Sequence, residues 1–234
     1  MIRAAATAVA LTAVLALNVA AGQAADECKG LQACIPVAGP WVVIPAPAGA
    51  SATATWQLVC PQGVVGGVDA RASEATVAVE FPGRIGSPVN PGITTTGSLL
   101  FKGTYAGRAR KATSYRPFIG CIPGGGGGPR TPMAFSRVSA DVKPGEPITV
   151  RVETLDLVPG RLARKTLGCR AGERLLRSTH SVGIYTLAVP TVAQGHSVRV
   201  VRVRRSGKIL VSATRRGLDP RVRAAVQVQM ECAR

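Results

Sequence analysis

Ser178-Thr179-His180-Ser181 sets a histidine beside hydroxyls, the residue types that nucleophilic and acid–base chemistry needs. On a strand, neighbouring side chains point to opposite faces, so adjacency alone does not make a dyad. No G-x-S-x-G elbow is present to expose a serine nucleophile. The acidic residues Asp69 and Glu74 stand five apart and Glu153 and Asp156 three apart. The two carboxylates of a glycoside hydrolase can come from distant positions, and nothing singles out either pair. The run Gly124 to Gly128 lacks the lysine and hydroxyl of a phosphate loop. With only His180 and His196 and no C-x-x-C, there is no zinc-type ligand spacing. The expectation is a non-catalytic protein with no metal and no cofactor. The competing reading is a hydrolase whose site assembles from residues far apart in sequence.

Charge is the more distinctive chemistry. The chain carries a net +17, and its 23 arginines outnumber its 6 lysines. From Ala25 to Pro123 there are 8 basic and 5 acidic residues; from Gly124 onward there are 20 and 7. The excess of +13 therefore falls on the second half. Arg199, Arg202 and Arg204 lie on or beside one candidate strand, and Arg221 and Arg223 open the last one. A bulge at Val200-Val201 would bring Arg199 to the side of Arg202 and Arg204. These five arginines form the candidate polyanion-binding set, since guanidinium groups suit bidentate capture of phosphate, sulfate or carboxylate. Nine aromatics in the whole chain leave little for base or sugar stacking, so nucleic acid is a poor fit. The partner expected is an anionic envelope polymer, for instance a teichoic-acid-like chain, or another protein; oligomeric state is left open.

The elements that must position these groups begin after an export signal. Arg3, the apolar Ala4 to Ala21 and the small residues around Ala24 follow the order of a secretory signal peptide, here 1–24. No later stretch is apolar enough to span a membrane. The expected location is secreted, extracellular or at the cell surface. Cysteine usage agrees: Cys28, Cys34, Cys60, Cys121, Cys169 and Cys232 are even in number, as in a disulfide framework.

An internal repeat organises the rest. Cys60-Pro-Gln-Gly63 recurs as Cys169-Arg-Ala-Gly172, Gly97 to Thr104 recurs as Gly207 to Thr214, and Cys121 recurs as Cys232. The offsets are 109, 110 and 111. The proline-bounded glycine run between the copies reads as a linker. The division is 25–121, a linker 122–132, and 133–234. The repeat favours Cys60–Cys121 and Cys169–Cys232, with Cys28–Cys34 closing a small N-terminal loop; other connectivities, such as Cys34–Cys60, stay open.

Strand signals are plentiful. Thr76 to Phe81, Ile148 to Val152 after the turn Lys143-Pro-Gly-Glu146, Val198 to Arg204, and Val222 to Met230 alternate with period two. In the last, Val226, Val228 and Met230 share one face and Gln227 and Gln229 the other, the pattern of an antiparallel strand with one wet side. The one helical candidate is Asp219 to Ala225. The fold class expected is all-β, two antiparallel sandwiches in tandem. The strand after Pro144-Gly145, the cysteine spacing near sixty and the length of each half resemble a duplicated immunoglobulin-like β-sandwich of bacterial exported and surface proteins. Trp41 and Trp56 both precede Cys60, unlike the tryptophan between the cysteines of antibody-type domains. The resemblance implies a non-catalytic binding or structural module and names no ligand.

Overall fold

The computed structural model describes residues 26–81, 96–107, 111–123 and 146–234. The expected signal peptide, the glycine linker from Gly124 to Pro132 and the turn residues Lys143 to Gly145 lie outside them.

The described chain is all-β with antiparallel sheets. In order, the strands are β1 (Ile35–Ala38), β2 (Trp41–Ile44), β3 (Ala52–Val59), β4 (Val64–Ala72), β5 (Val77–Glu80), β6 (Ser98–Tyr105) and β7 (Thr113–Ile122), then β8 (Ile148–Leu157), β9 (Ala163–Gly168), β10 (Arg174–Tyr185), β11 (Val198–Arg205), β12 (Lys208–Arg215) and β13 (Arg223–Ala233). A single short helix, α1 (Val192–Gly195), stands between β10 and β11. Thr191 caps it and Gln194 reaches back, a Thr-x-x-Gln capping box. The expected helix at Asp219 to Ala225 is a turn running into β13 instead, because Arg215 holds the carbonyls of Pro220 and Val222 in an extended approach.

The strands at 77–80, 148–157, 198–205 and 223–233 fall where alternation placed them. Three disulfides form as the repeat suggested: Cys28–Cys34, Cys60–Cys121 and Cys169–Cys232. The two long bridges each tie an outer sheet to the central one.

The two copies share a topology. β3, β6 and β5 form one outer sheet in that order, and β9, β12 and β11 form the other. β7 lies between β4 and the end-to-end pair β1 and β2, just as β13 lies between β10 and β8. Even the irregularities match. The ladder shifts between Val65 and Gly67, next to the Cys121 pair, and between Leu175 and Arg177, next to the Cys232 pair. The bulges sit there and not at Val200-Val201, where β11 pairs with β12 without interruption from Val198 to Arg205.

The halves are not two separate sandwiches on a string. β2 pairs with β10 through Val43 and Val182, Val42 and Gly183, and Trp41 and Ile184. That ladder fuses their inner sheets into one seven-stranded sheet. Val42 and Ile44 enter one core while Val43 packs on the other. In β13, Ala225 faces the first core, and Val226, Val228 and Met230 face the second. The result is three layers, with one outer sheet packed on each side of the central sheet. Gly183 is needed at the seam, because a Cβ there would stand 2.5 Å from Trp56 and from Pro40.

The seam also corrects the expected wet face of β13. Gln227 and Gln229 are 7% and 8% exposed. Both reach β3, the edge strand of the first outer sheet. Gln227 Oε1 accepts from Gln57 N–H at 2.7 Å, and its Nε2 donates to Gln57 O at 2.9 Å. Thr55 Oγ1 donates to Gln229 Oε1 at 2.7 Å, and Thr55 N–H donates to Ser181 Oγ at 3.0 Å. These side chains stand in for a neighbouring strand and satisfy main-chain groups that burial would otherwise penalise.

Candidate functional site

The groups considered for catalysis are dispersed. Ser181 faces β3, whereas Ser178 and His180 lie on the opposite face of β10, toward β11. Burial, and secondarily the charge of Arg202, lower the His180 pKa to about 4, so its ring is neutral at pH 7. Its Nδ1 is buried without a partner. Each named carboxylate is engaged locally. Asp69 accepts from Asp26 N–H at 3.0 Å, Glu74 pairs with Lys111 at 2.9 Å, Glu153 with Lys165 at 2.7 Å and Asp156 with Arg223 at 2.8 Å. Cys169, Glu173 and Cys232 bring ligand-type atoms together, but both sulfurs are consumed in the disulfide.

The five candidate arginines do not converge. Continuous pairing of β11 keeps strict alternation, so Arg202 and Arg204 lie on the inner side, Arg202 half-buried and Arg204 still exposed near the strand end, and Arg199 points outward to solvent. Arg202 Nη1 donates to Ser178 O at 2.6 Å, and Arg204 Nη2 donates to Leu175 O at 2.6 Å. Burial lowers the Arg202 pKa, yet the guanidinium stays charged. These two arginines cap carbonyls of β10 beyond its short pairing with β2. Arg223 pairs with Asp156 and lies over the Tyr185 ring, 4.5 Å from its centroid. Arg221 is exposed in the turn before β13. Of the set, only Arg199 lies on the solvent face of the outer sheet.

That face nevertheless collects charge, through residues that the sequence reading passed over. Outward from β11 stand Arg199, Val201, Val203 and Arg205; from β12, Lys208, Leu210, Ser212 and Thr214; from β9, Arg164 and Thr166. Their inward neighbours Ile209, Val211, Ala213 and Leu167 fill the second core, which fixes the assignment. Arg164, Arg199, Arg205 and Lys208 are all exposed, and none has an ion-pair or hydrogen-bond partner among the described residues. The described acids of this half are engaged elsewhere. Glu146, Glu153, Asp156, Glu173 and Glu231 each pair with another arginine or lysine, and Asp219 accepts from Arg221 N–H. Alternation plus the count of acids was the signal that could have found this face. It was hidden because the bulge was placed in the wrong strand.

The hairpin tip concentrates the effect. Arg205 and Lys208 are directly opposite each other across the ladder. Ser206 and Gly207 join them with φ of 46° and 73°, both positive as a two-residue type I′ turn requires. Like charges directly opposite destabilise a sheet, so the pair stands at a cost unless an anion lies between them.

Comparison of the chain with protein-family models, with curated proteins and with solved structures finds no match, so the geometry of this basic face stands as the guide to function.

Proposed function

We propose that the chain is an exported, non-catalytic binding module of the bacterial cell envelope or medium, and that it captures polyanions on the solvent face of the β9–β12–β11 sheet. The observation that carries this is the segregation of Arg164, Arg199, Arg205 and Lys208 on a face with no acid among the described residues, while the described acids of the same half are engaged in ion pairs or a turn hydrogen bond elsewhere. Cations without counter-ions on one surface attract polymeric anions, and release of bound counterions drives association.

Export is supported by three disulfides, which persist in oxidising compartments. No helix among the described residues is long and apolar enough to cross a membrane. The immunoglobulin-like reading is supported by strand order. Taking each half as six strands, the second, fifth and fourth pair in the manner of strands B, E and D, and the third and sixth in the manner of C and F. The disulfide leads from the end of the second strand to the sixth. The first strand occupies the place of G, and in the first half that strand carries the ladder to the second half.

The test is retention of the full chain on immobilised heparin or polyphosphate against salt. A variant with Arg164, Arg199, Arg205 and Lys208 all changed to Gln should elute at much lower salt. Each lost phosphate contact should flatten the log–log salt slope by roughly 0.7–0.9. Arg202→Gln with Arg204→Gln should leave that slope unchanged. Equal retention of the parent and the four-residue variant would refute the proposal.

A further inference from the structure

The basic face is not only charged. Val201, Val203 and Leu210 are 46%, 39% and 38% exposed, and they adjoin one another. Val203 is the direct cross-strand partner of Leu210, and Val201 lies two residues back on the same side of β11. The four cations frame this aliphatic centre. Arg199 stands beyond Val201, Arg205 and Lys208 stand beyond Val203 and Leu210, and Arg164 lies across β12 from Leu210's neighbour Ser212. Arg199 to Arg205 is six residues, about 20 Å of strand. The first half shows the alternative. On its outer sheet Lys102 of β6 pairs with Glu80, its direct partner on β5, so charge there is locally cancelled.

A soluble polyanion explains the cations but gives three exposed aliphatics nothing to do. Interfaces with protein partners are enriched in aromatic side chains at their core, and this face shows none among the described residues. A surface that presents fixed anionic groups above hydrocarbon satisfies both parts at once. Arginine and lysine meet phosphate at headgroup level, and apolar side chains enter the acyl boundary. Long cationic side chains can flank such an insertion while their charged ends stay in the polar layer.

Resting on the polyanion-capturing reading above, we infer that the occupant of this face is the surface of an anionic lipid bilayer, with Arg164, Arg199, Arg205 and Lys208 on headgroup phosphates and Val201, Val203 and Leu210 inserted between lipids. The contact is peripheral. It lays one sheet face on the membrane and needs no spanning segment.

The experiment is co-sedimentation of the full chain with vesicles of phosphatidylglycerol mixed with phosphatidylcholine, beside vesicles of phosphatidylcholine alone and beside soluble polyphosphate. The parent should bind the anionic vesicles and polyphosphate but not the neutral vesicles. Val201→Ser, Val203→Ser and Leu210→Ser combined should weaken vesicle binding about tenfold or more while leaving polyphosphate affinity unchanged. Replacing the four cations by Gln should weaken vesicle binding about a hundredfold or more. Val203→Trp provides a second readout. Its emission should shift to the blue on anionic vesicles and be quenched by lipids brominated in the acyl chain.

Binding of polyphosphate without binding of anionic vesicles overturns the lipid inference and leaves the polyanion reading standing. So does a triple-serine variant that binds vesicles as tightly as the parent. Capture of a protein by this face in place of vesicles also overturns it. Failure to bind either anionic probe overturns both readings.

Discussion

The two halves repeat one strand order and use their outer sheets in opposite ways. In the first half the edge strand β3 is drawn under the second half and finished with neutral side chains, Ser181, Gln227 and Gln229. In the second half the corresponding strand β9 meets no such cap among the described residues. Its Lys165 instead pairs with Glu153 of β8 across the open side. The outward faces differ in the same sense: Lys102 is matched by Glu80 in one, while Arg205 is set against Lys208 in the other. A repeated fold can thus spend one copy on cohesion and leave the other free for contact. The chemistry follows burial. Where an edge is covered, amides satisfy the main chain without the desolvation cost of an ion; where it is exposed, charge is tolerated.

The largest expected effect tests whether the halves are equivalent. Each long disulfide closes a loop of 61 or 63 residues. In the chain-entropy model such a loop stabilises by about 4 kcal/mol. Cys60→Ala with Cys121→Ala, and Cys169→Ala with Cys232→Ala, should therefore lose similar stability in urea titrations. A twofold disparity between the pairs would break the equivalence.

Next comes the seam. Gln227→Leu removes both hydrogen bonds to Gln57 in a buried setting, at a cost of about 1–3 kcal/mol. Because the central sheet is shared, calorimetry of the parent should give one cooperative transition. Two separated transitions would show that the halves melt on their own despite the β2–β10 ladder.

Acid should lower the stability of the chain through a buried histidine of the second half. His180 titrates near 4 in the folded chain and near the ordinary 6.5 when unfolded. Below pH 6.5 the unfolded chain takes up a proton that the folded one refuses, so stability falls as pH drops from 6.5 to 4. His180→Gln should remove this component of the slope; a slope unchanged by the substitution would assign the loss to carboxylates such as Glu173, whose pKa Arg151 lowers.

The smallest effect sharpens the contrast between the outer faces. Lys208→Glu converts a like-charged cross-strand pair into an attractive one and should raise stability by about 0.2–1 kcal/mol. The same variant should bind polyanions less well. A gain in stability with undiminished binding would detach the hairpin tip from ligand capture.

How much of this was legible before the fold is clearest residue by residue. Period-two alternation placed the strands around Val77, Val150, Val200 and Val228, since a strand must divide its side chains between two faces. The repeat favoured the two long disulfides that form, because copies of one unit close equivalent loops, while the sequence left other pairings open. The charge imbalance of the second half was a matter of counting. The candidate site was legible only in part: Arg199 was named, while Arg164, Arg205 and Lys208 were not.

Alternation says that a strand has two sides and says nothing about what covers each. Gln227 and Gln229 read as a wet face, yet Thr55 and Gln57, more than 150 residues earlier, pack over them. Arg202 and Arg204 read as a basic surface, yet carbonyls of β10 accept their hydrogen bonds. By itself, the sequence determined four of the strands and the sign of the charge and favoured the bridges that form, since these depend on local spacing and composition. Only the tertiary structure decided the fused sheet, the buried amides and which cations face solvent, because burial and pairing are set by neighbours that the chain order keeps far apart.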